Sequence, residues 1–276
     1  MKNILIPTDF SKCAQKALDF ALELAVEQNA GLVLYHSITP VYTADTNFYA
    51  VNYLDDYYKT KQDKLRQLLK KSISSNPRYA AIKTKIAFDF GLTAENIVDA
   101  ASKYKADLIV MGTQGASGLK EFLFGSTAGW VIAKSNVPVL VVPATAKYVH
   151  LKAPYLYATD FATFPNRNSI KVLEELGAGQ DNKIKVLHVM EGKMNDTDEK
   201  GVSKMKNKLK NINYDIQFIQ DNDIPKAINK YAHSVKAGML VMVAHHYNLF
   251  ERLLFESLTK KVSFHTNIPL LVMVKE

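Results

Sequence analysis

Cysteine is almost missing from this chain of 276 residues, with Cys13 the single example. An internal disulfide and a cysteine metal cage are therefore excluded, which fits a reducing compartment. No apolar run approaches the roughly 20 residues a membrane span needs. The first residues enter a strand pattern directly, without the basic and apolar regions of a signal peptide, so a cytoplasmic location and no membrane partner are expected. The net charge of +8 is shared between both halves, and no helix-turn-helix, zinc finger or RNA-binding aromatic motif accompanies it. Nucleic acid is not an expected partner. His245, His246 and His265 have no acidic or cysteine ligand at usable spacing, and adjacent histidines project in different directions, so no metal site is expected there.

The chain does have enough apolar residues, 47%, for a core in each of two globular units. Short β-branched runs at 2–6, 32–37, 82–88, 107–111 and 138–142 read as strands, too apolar to alternate and so buried on both faces. Helices fit between them. One starts near Ser11 and carries Ala14, Leu18, Ala21, Leu22 and Ala25 at helical spacing. Another starts at Thr93, a candidate cap, and carries Ile97, Val98 and Ala101. The pattern predicts a doubly wound parallel sheet, with ligands at the carboxyl ends of strands where the strand order reverses. Asp9, Ser37 and Gly112 fall at such ends.

Behind the apolar run 107–111, residues 112–126 read Gly-x2-Gly-x9-Gly-Ser, with glycines at 112, 115 and 125 and Ser126 last. Glycines let a backbone turn tightly and approach a ligand, and the N–H groups that begin a helix attract anions. The loop suits phosphate. It is not a Walker loop, because no Gly-Lys-Ser/Thr closes it and Lys120 lies in its middle.

The spacing resembles the nucleotide-binding motif of the universal stress protein family. Ile4-Leu-Ile-Pro-Thr-Asp9-Phe-Ser11 looks like that family's first strand, Gly31-Leu-Val-Leu-Tyr-His36-Ser37 its second, and Val137-Pro-Val-Leu-Val-Val142 its last. The resemblance implies that Asp9 and Gly112 lie beside a ribose and that the backbone around Ser37 reads an adenine edge. It also implies that Gly115, Gly125, Ser126 and Thr127 hold phosphates, while Pro7, Thr8, Met111 and Gln114 line the same cleft. The implied ligand is ATP or another adenine nucleotide, with magnesium an optional companion. A plain helix cap is the simpler alternative for Asp9 and for Ser126. The ATP pyrophosphatases share the broad architecture, but their Ser-Gly-Gly loop after the first strand is missing.

The chain then repeats itself. Tyr155-Leu-Tyr-Ala-Thr-Asp160-Phe161 restates residues 4–10, Lys185-Val-Leu-His188 restates Val33 to His36, and Ile268-Pro-Leu-Leu-Val restates Val137 to Val141. Duplication accounts for all three. The expected domains are 1–146 and 151–276: two tandem doubly wound five-stranded parallel-sheet units of Rossmann-like, adenine nucleotide alpha hydrolase-like form. Single-copy relatives commonly pair through their last strands, so the halves are expected to pack as a pseudo-dimer, leaving any further homodimer to another surface.

The second copy departs from the loop motif. Aligned on the following serine, Gly112, Gly115 and Gly125 become Ala244, Tyr247 and Glu256, with the loop one residue shorter. A carboxylate at the helix start repels phosphate, so one nucleotide per chain is expected and Asp160 reads as structural. The leading expectation is a nucleotide-binding sensor or regulator in stress response. Slow ATP hydrolysis and an empty scaffold are the alternatives. Hydrolysis would need a base or water-positioning group, and only Asp9, better used on ribose, is in view. The tyrosine-rich stretch 42–58 reads as a core or interdomain face ahead of a ligand lid.

Overall fold

The computed structural model describes residues 1–39, 48–113, 125–146, 148, 153–177, 184–192, 194, 196–244 and 268–276, with backbone alone for 48–55. Strand β1 (Asn3–Pro7) is buried from Ile4 onward and leads into α1 (Lys12–Gln28). Ser11 caps this helix, its Oγ accepting the Ala14 N–H at 3.1 Å. Asn29 ends it in the left-handed conformation that a short polar side chain tolerates. The alternation continues through β2 (Gly31–Ile38), α2 (Phe48–Ser74), a 3-10 turn (Pro77–Ala81), β3 (Thr84–Phe90), α3 (Thr93–Lys103), β4 (Leu108–Gly112), α4 (Ser126–Lys134) and β5 (Val139–Val142). The second half follows as β6 (Tyr155–Ala158), α5 (Arg167–Gly177), β7 (Ile184–Met190), α6 (Asp196–Lys208), β8 (Tyr214–Gln220), α7 (Ile224–Ser234), β9 (Met239–Val243) and β10 (Leu270–Met273).

The ten described strands form one sheet, ordered β3-β2-β1-β4-β5-β10-β9-β6-β7-β8. Pairing is parallel within each half and antiparallel where β5 meets β10. There Leu140 lies opposite Leu271, its own counterpart in the repeat, so a pseudo-twofold axis passes between them. The two Rossmann-like halves thus form a pseudo-dimer inside one chain. Each closing strand covers the edge that the other would leave open.

Strand alternation divides the core. Ile4, Ile6, Leu34 and Val110 face α1 and α2, and that core continues through Tyr155, Tyr157 and Leu173 of the second half. Leu5, Val33, Tyr35, Ile109 and Met111 face α3 and α4 on the other side. The second half's equivalent cluster, with Leu156, Leu187, Ile228 and Leu240, is separate. One helical layer therefore ties the halves together.

Two local expectations change. The third strand begins at Thr84, not 82, because Ile82 caps the 3-10 turn, its N–H still bonded to Tyr79 O. Thr93 is the first residue of α3 and Leu92 holds the cap position, without a side-chain bond. Of the tyrosine-rich stretch, the side chains of 42–55 lie outside the described residues. Tyr57 and Tyr58 meet edge to face at 5.8 Å, and Tyr58 meets Phe90 edge to face at 4.6 Å. Since Phe90 is on β3, the outermost strand, these two rings are not at the interface between halves.

Candidate functional site

The strand order reverses between β1 and β4, so the connection after β1 and the one after β4 part to opposite faces and open a crevice. Thr8 starts the first connection. Its N–H bonds to Tyr35 O at 2.8 Å, and its Oγ1 accepts the Phe10 N–H at 3.0 Å. Phe10 has φ 65°, a conformation disfavoured for an aromatic residue and here held by that bond. His36 braces the turn from beneath, with Nδ1 2.7 Å from Thr8 O and its ring 4.6 Å from Phe10. A carbonyl only accepts, so Nδ1 carries the hydrogen. Burial holds the His36 pKa below its ordinary value, and Lys61 and Lys64 add to this against the Thr8 carbonyl and Asp9. His36 is a neutral prop.

Asp9 stands exposed at the tip. Its Oδ1 accepts the Ser11 N–H at 2.9 Å, while Ser11 itself caps α1. The carboxylate therefore shapes the turn without being the helix cap. A carboxylate offers about four lone-pair sites, so the Ser11 bond does not by itself prevent Asp9 from accepting from a ligand hydroxyl.

Across the crevice, β4 ends at Met111 and Gly112. A side chain at Gly112 would lie 2.8 Å from Cys13 Sγ and 3.0 Å from the Cys13 carbonyl oxygen. This glycine is needed first for the approach of α1. Cys13 is buried, with Sγ 3.7 Å from Val142 O. Thr113 N–H bonds to Val142 O, and the Gly125 N–H returns to Thr113 O at 2.8 Å, so the two ends of the glycine loop are pinned together. Gly125, not Ser126, occupies the cap position of α4, and Ser126 is its first residue. The first N–H groups of a helix have no acceptor within it, so those of Ser126, Thr127 and Ala128 make a donor cluster at the positive end of the helix.

Each described member of the expected set lies at or beside the carboxyl end of β1, β2 or β4, or at the start of α4. Pro7 ends β1 with Thr8 and Asp9 directly after it, Ser37 is the next-to-last residue of the neighbouring β2, Met111 and Gly112 end β4 on the other side, and Gly125, Ser126 and Thr127 open α4. Gln114 and Gly115 lie outside the described residues. Sequence reasoning missed His36 as the brace of the turn and Asn96, whose Nδ2 donates to Ser37 Oγ at 2.9 Å. The first could have been found, because the repeat keeps both the threonine and the histidine.

In the second half the same turn is present. Thr159 N–H bonds to Leu187 O, Thr159 Oγ1 accepts the Phe161 N–H, Phe161 has φ 57°, and His188 Nδ1 lies 2.9 Å from Thr159 O. The surroundings differ. Lys64 Nζ is 4.5 Å from the Phe10 ring centre, whereas the second half places buried Asp198 3.3 Å from His188 Nε2. Asp160 Oδ1 accepts from both Ala162 and Thr163 N–H, a structural use. Helix α5 begins only at Arg167 after a bridge between Pro165 and Lys275, so the helical turn that presses Cys13 onto Gly112 has no helical counterpart.

The hydrogen-bond register also corrects the expected alignment of the loops. Ala244 N–H bonds to Met273 O just as Thr113 N–H bonds to Val142 O. Ala244 is thus the counterpart of Thr113, and Val243 that of Gly112. The spacing to Ser126 and to Ser257 is then equal, so the second loop is not one residue shorter. Tyr247 and Glu256 lie outside the described residues, as do His245, His246 and His265. Among the described residues no three His, Cys, Asp or Glu side chains gather as metal ligands would. No described helix is long and apolar enough to cross a membrane.

A duplicated, doubly wound α/β fold with an anion-attracting helix start at its switch point defines a nucleotide-binding class of architecture. The model of the universal stress protein family matches residues 1–143 and again 156–275, and the chain belongs to that family. Universal stress protein MJ0531 of Methanocaldococcus jannaschii is 32% identical over 149 residues, which cover 53% of this chain and 84% of that protein. Universal stress protein YxiE of Bacillus subtilis is 31% identical over 146 residues, 50% of this chain and 97% of that one. These relatives correspond in length to one half. A universal stress protein from Archaeoglobus fulgidus shares the whole tandem fold, with a TM-score of 0.72 over 99% of this chain and 98% of that one at 19% identity.

Proposed function

We propose that the first half binds one adenine nucleotide, ATP or AMP, and that the protein acts in stress response as a nucleotide-dependent sensor or regulator. The observation that carries this reading is the bond from Gly125 N–H to Thr113 O, which holds the start of α4 close to the end of β4, at the switch point beside β1 and β2, near whose ends Asp9 and Ser37 lie. A helix N-terminus attracts phosphate, a carboxylate accepts from ribose hydroxyls, and a strand end offers backbone groups to a base. Membership of the family supports the reading further. Val243 in place of Gly112, and a glutamate at position 256 where Gly125 stands in the first half, support one site per chain.

Mass spectrometry of ligand released from the purified, denatured protein tests the nucleotide, and calorimetry with ATP tests the count. One site is expected, lost in Gly115→Tyr and kept in Tyr247→Ala. Two equal sites, or none, would overturn the proposal.

A further inference from the structure

Strand β3 is an open edge. It stands last in the strand order, and among the described residues Thr84–Phe90 pairs on one side only, with β2. Two bonds at its ends fix which backbone groups are left over: Lys83 O accepts from Leu32 N–H, and Gly91 N–H donates to Ile38 O. Odd-numbered residues therefore turn toward β2, and the N–H and C=O groups of Thr84, Ile86, Phe88 and Phe90 line the outer side. Such an edge is a template for another strand unless proline, a bulge or a covering element blunts it. This strand has no proline, and its register with β2 runs unbroken from Thr84 to Phe90. Phe90 is 48% exposed there.

The side chains say which strand fits. Lys85 and Asp89 flank Ala87 on the α3 side of the sheet. Lys85 Nζ lies 4.7 Å from the Tyr104 ring centre, and among the described residues no carboxylate pairs with it. Asp89 Oδ1 accepts from Lys103 Nζ at 2.8 Å, and a carboxylate has capacity for a second donor. An antiparallel pairing of β3 with the same strand of a second copy, centred on Ala87, sets Ile86 opposite Phe88, Thr84 opposite Phe90 and Lys85 opposite Asp89, each twice by symmetry. The outward-facing residues then exchange ladder bonds. Lys85 and Asp89 take the non-hydrogen-bonded positions, where Cα atoms come to about 4.5 Å and side chains are closest. Centring on Ile86 or Phe88 instead puts Ala87 opposite Lys85 or Asp89 and leaves Phe90 or Thr84 outside the ladder.

The opposite edge of the sheet is an internal control. Lys85 is in register with Val33, and Asp215 with Lys185. The repeat therefore makes Asp215 of β8 the counterpart of Lys85, Ile219 that of Asp89 and Gln220 that of Phe90. The same pairing of β8 on itself would set Asp215 opposite Ile219. That carboxylate is instead held by Lys185 within the chain, at 2.6 Å, and an amide stands where β3 has its exposed aromatic end. Of the two edges, β3 alone is complementary in charge to itself.

We propose that β3 is an interface with a second copy of this chain: a twofold dimer in which two ten-stranded sheets join edge to edge about Ala87, on a surface separate from the β5–β10 seam. Sedimentation velocity over a concentration series tests it, and the wild-type chain should show a monomer–dimer equilibrium. Lys85→Glu or Asp89→Lys turns both charge pairs from attraction to repulsion and should weaken the dimer about tenfold or more. An equimolar mixture of the two variants restores opposite charges at both pairs, so mixed dimers should form within about threefold of the wild-type affinity. Asp89→Lys also loses its bond to Lys103, so Thr84→Pro provides a test independent of charge. Proline is tolerated at the first residue of an edge strand, and here it removes an outward donor. It should weaken the dimer about tenfold and leave urea unfolding of the monomer unchanged. Wild type still monomeric at about 1 mM, where even a weak specific pairing shows, would overturn the proposal. So would a dimer that Lys85→Glu and Thr84→Pro leave intact, or a mixture of folded variants that stays monomeric.

Discussion

Gly112 shows how one residue can answer to two demands. Its place at the end of β4 suits a ligand, but the nearest atoms to a side chain there belong to Cys13. Gly112→Ala is expected to destabilise folding by about 1–3 kcal/mol, as overpacking does. Adding Cys13→Ala should recover part of the loss, since the sulfur is one of the clashing atoms and the Cys13 backbone the other. Urea unfolding of the two single variants and the double variant measures this coupling. If Gly112→Ala weakens ATP and leaves stability unchanged, the packing account is wrong. His36 makes a different prediction. Its pKa in the fold is below the ordinary 6.5, so as pH falls through about 6.5 the unfolded chain takes up a proton that the folded chain refuses. This contribution is fully present above that pH and declines below it. His36→Asn, which can still donate to Thr8 O, should show a flatter fall in urea midpoint between pH 7.5 and 5.5 than wild type. Equal slopes would count against a depressed His36. The glycine and the histidine were visible as letters, but the Cys13 contact that explains Gly112 joins residues almost a hundred positions apart and could not be read from either neighbourhood.

Helices and strands were legible to differing degrees, for physical reasons. The start of α1 was readable because Ser11 and the apolar spacing that follows agree. Thr93 misled because a capping side chain and a first-turn residue are chemically alike, and only backbone geometry tells them apart. The late start of α5 left no local mark, since it depends on Pro165 pairing with Lys275 at the far end of the chain. The loop alignment failed similarly: a one-residue choice between Val243 and Ala244 is settled by the bond from Ala244 to Met273, not by residue type. For α4 the sequence carried more. With Gly125 at the cap and its helix opening into the crevice, Gly125→Glu places a carboxylate where phosphate is proposed to bind. Since a negative charge at that site opposes another, the substitution should weaken ATP substantially more than adenosine. Titration of both ligands decides it, and equal weakening would mean that the triphosphate does not sit at α4.

For the whole molecule, the duplication made the pairing of halves predictable. Two apolar closing strands in one chain leave two open edges unless they meet, and β5 and β10 do meet, antiparallel. The sequence could not tell which backbone groups join them, but the structure can. Pro138 O accepts from Ile109 on β4, and successive residues of a strand turn their N–H groups to opposite sides. Leu140 therefore faces β4, while Val139 and Val141 face Val272 and Leu270 across the pseudo-twofold. Proline removes a ladder donor, so its effect should depend on parity. Val141→Pro strikes the seam between halves and should loosen them, with NMR relaxation showing the two halves tumbling at different rates while each keeps its fold. Leu140→Pro strikes the ladder within the first half and should unfold that half and abolish nucleotide binding. The shared layer that runs from α1 to Tyr155 and Leu173 gives the seam further support, so Val141→Pro should be the milder of the two in thermal unfolding. Independent tumbling in the unmodified protein, or the same response to both substitutions, would mean that the seam is not what holds the halves together.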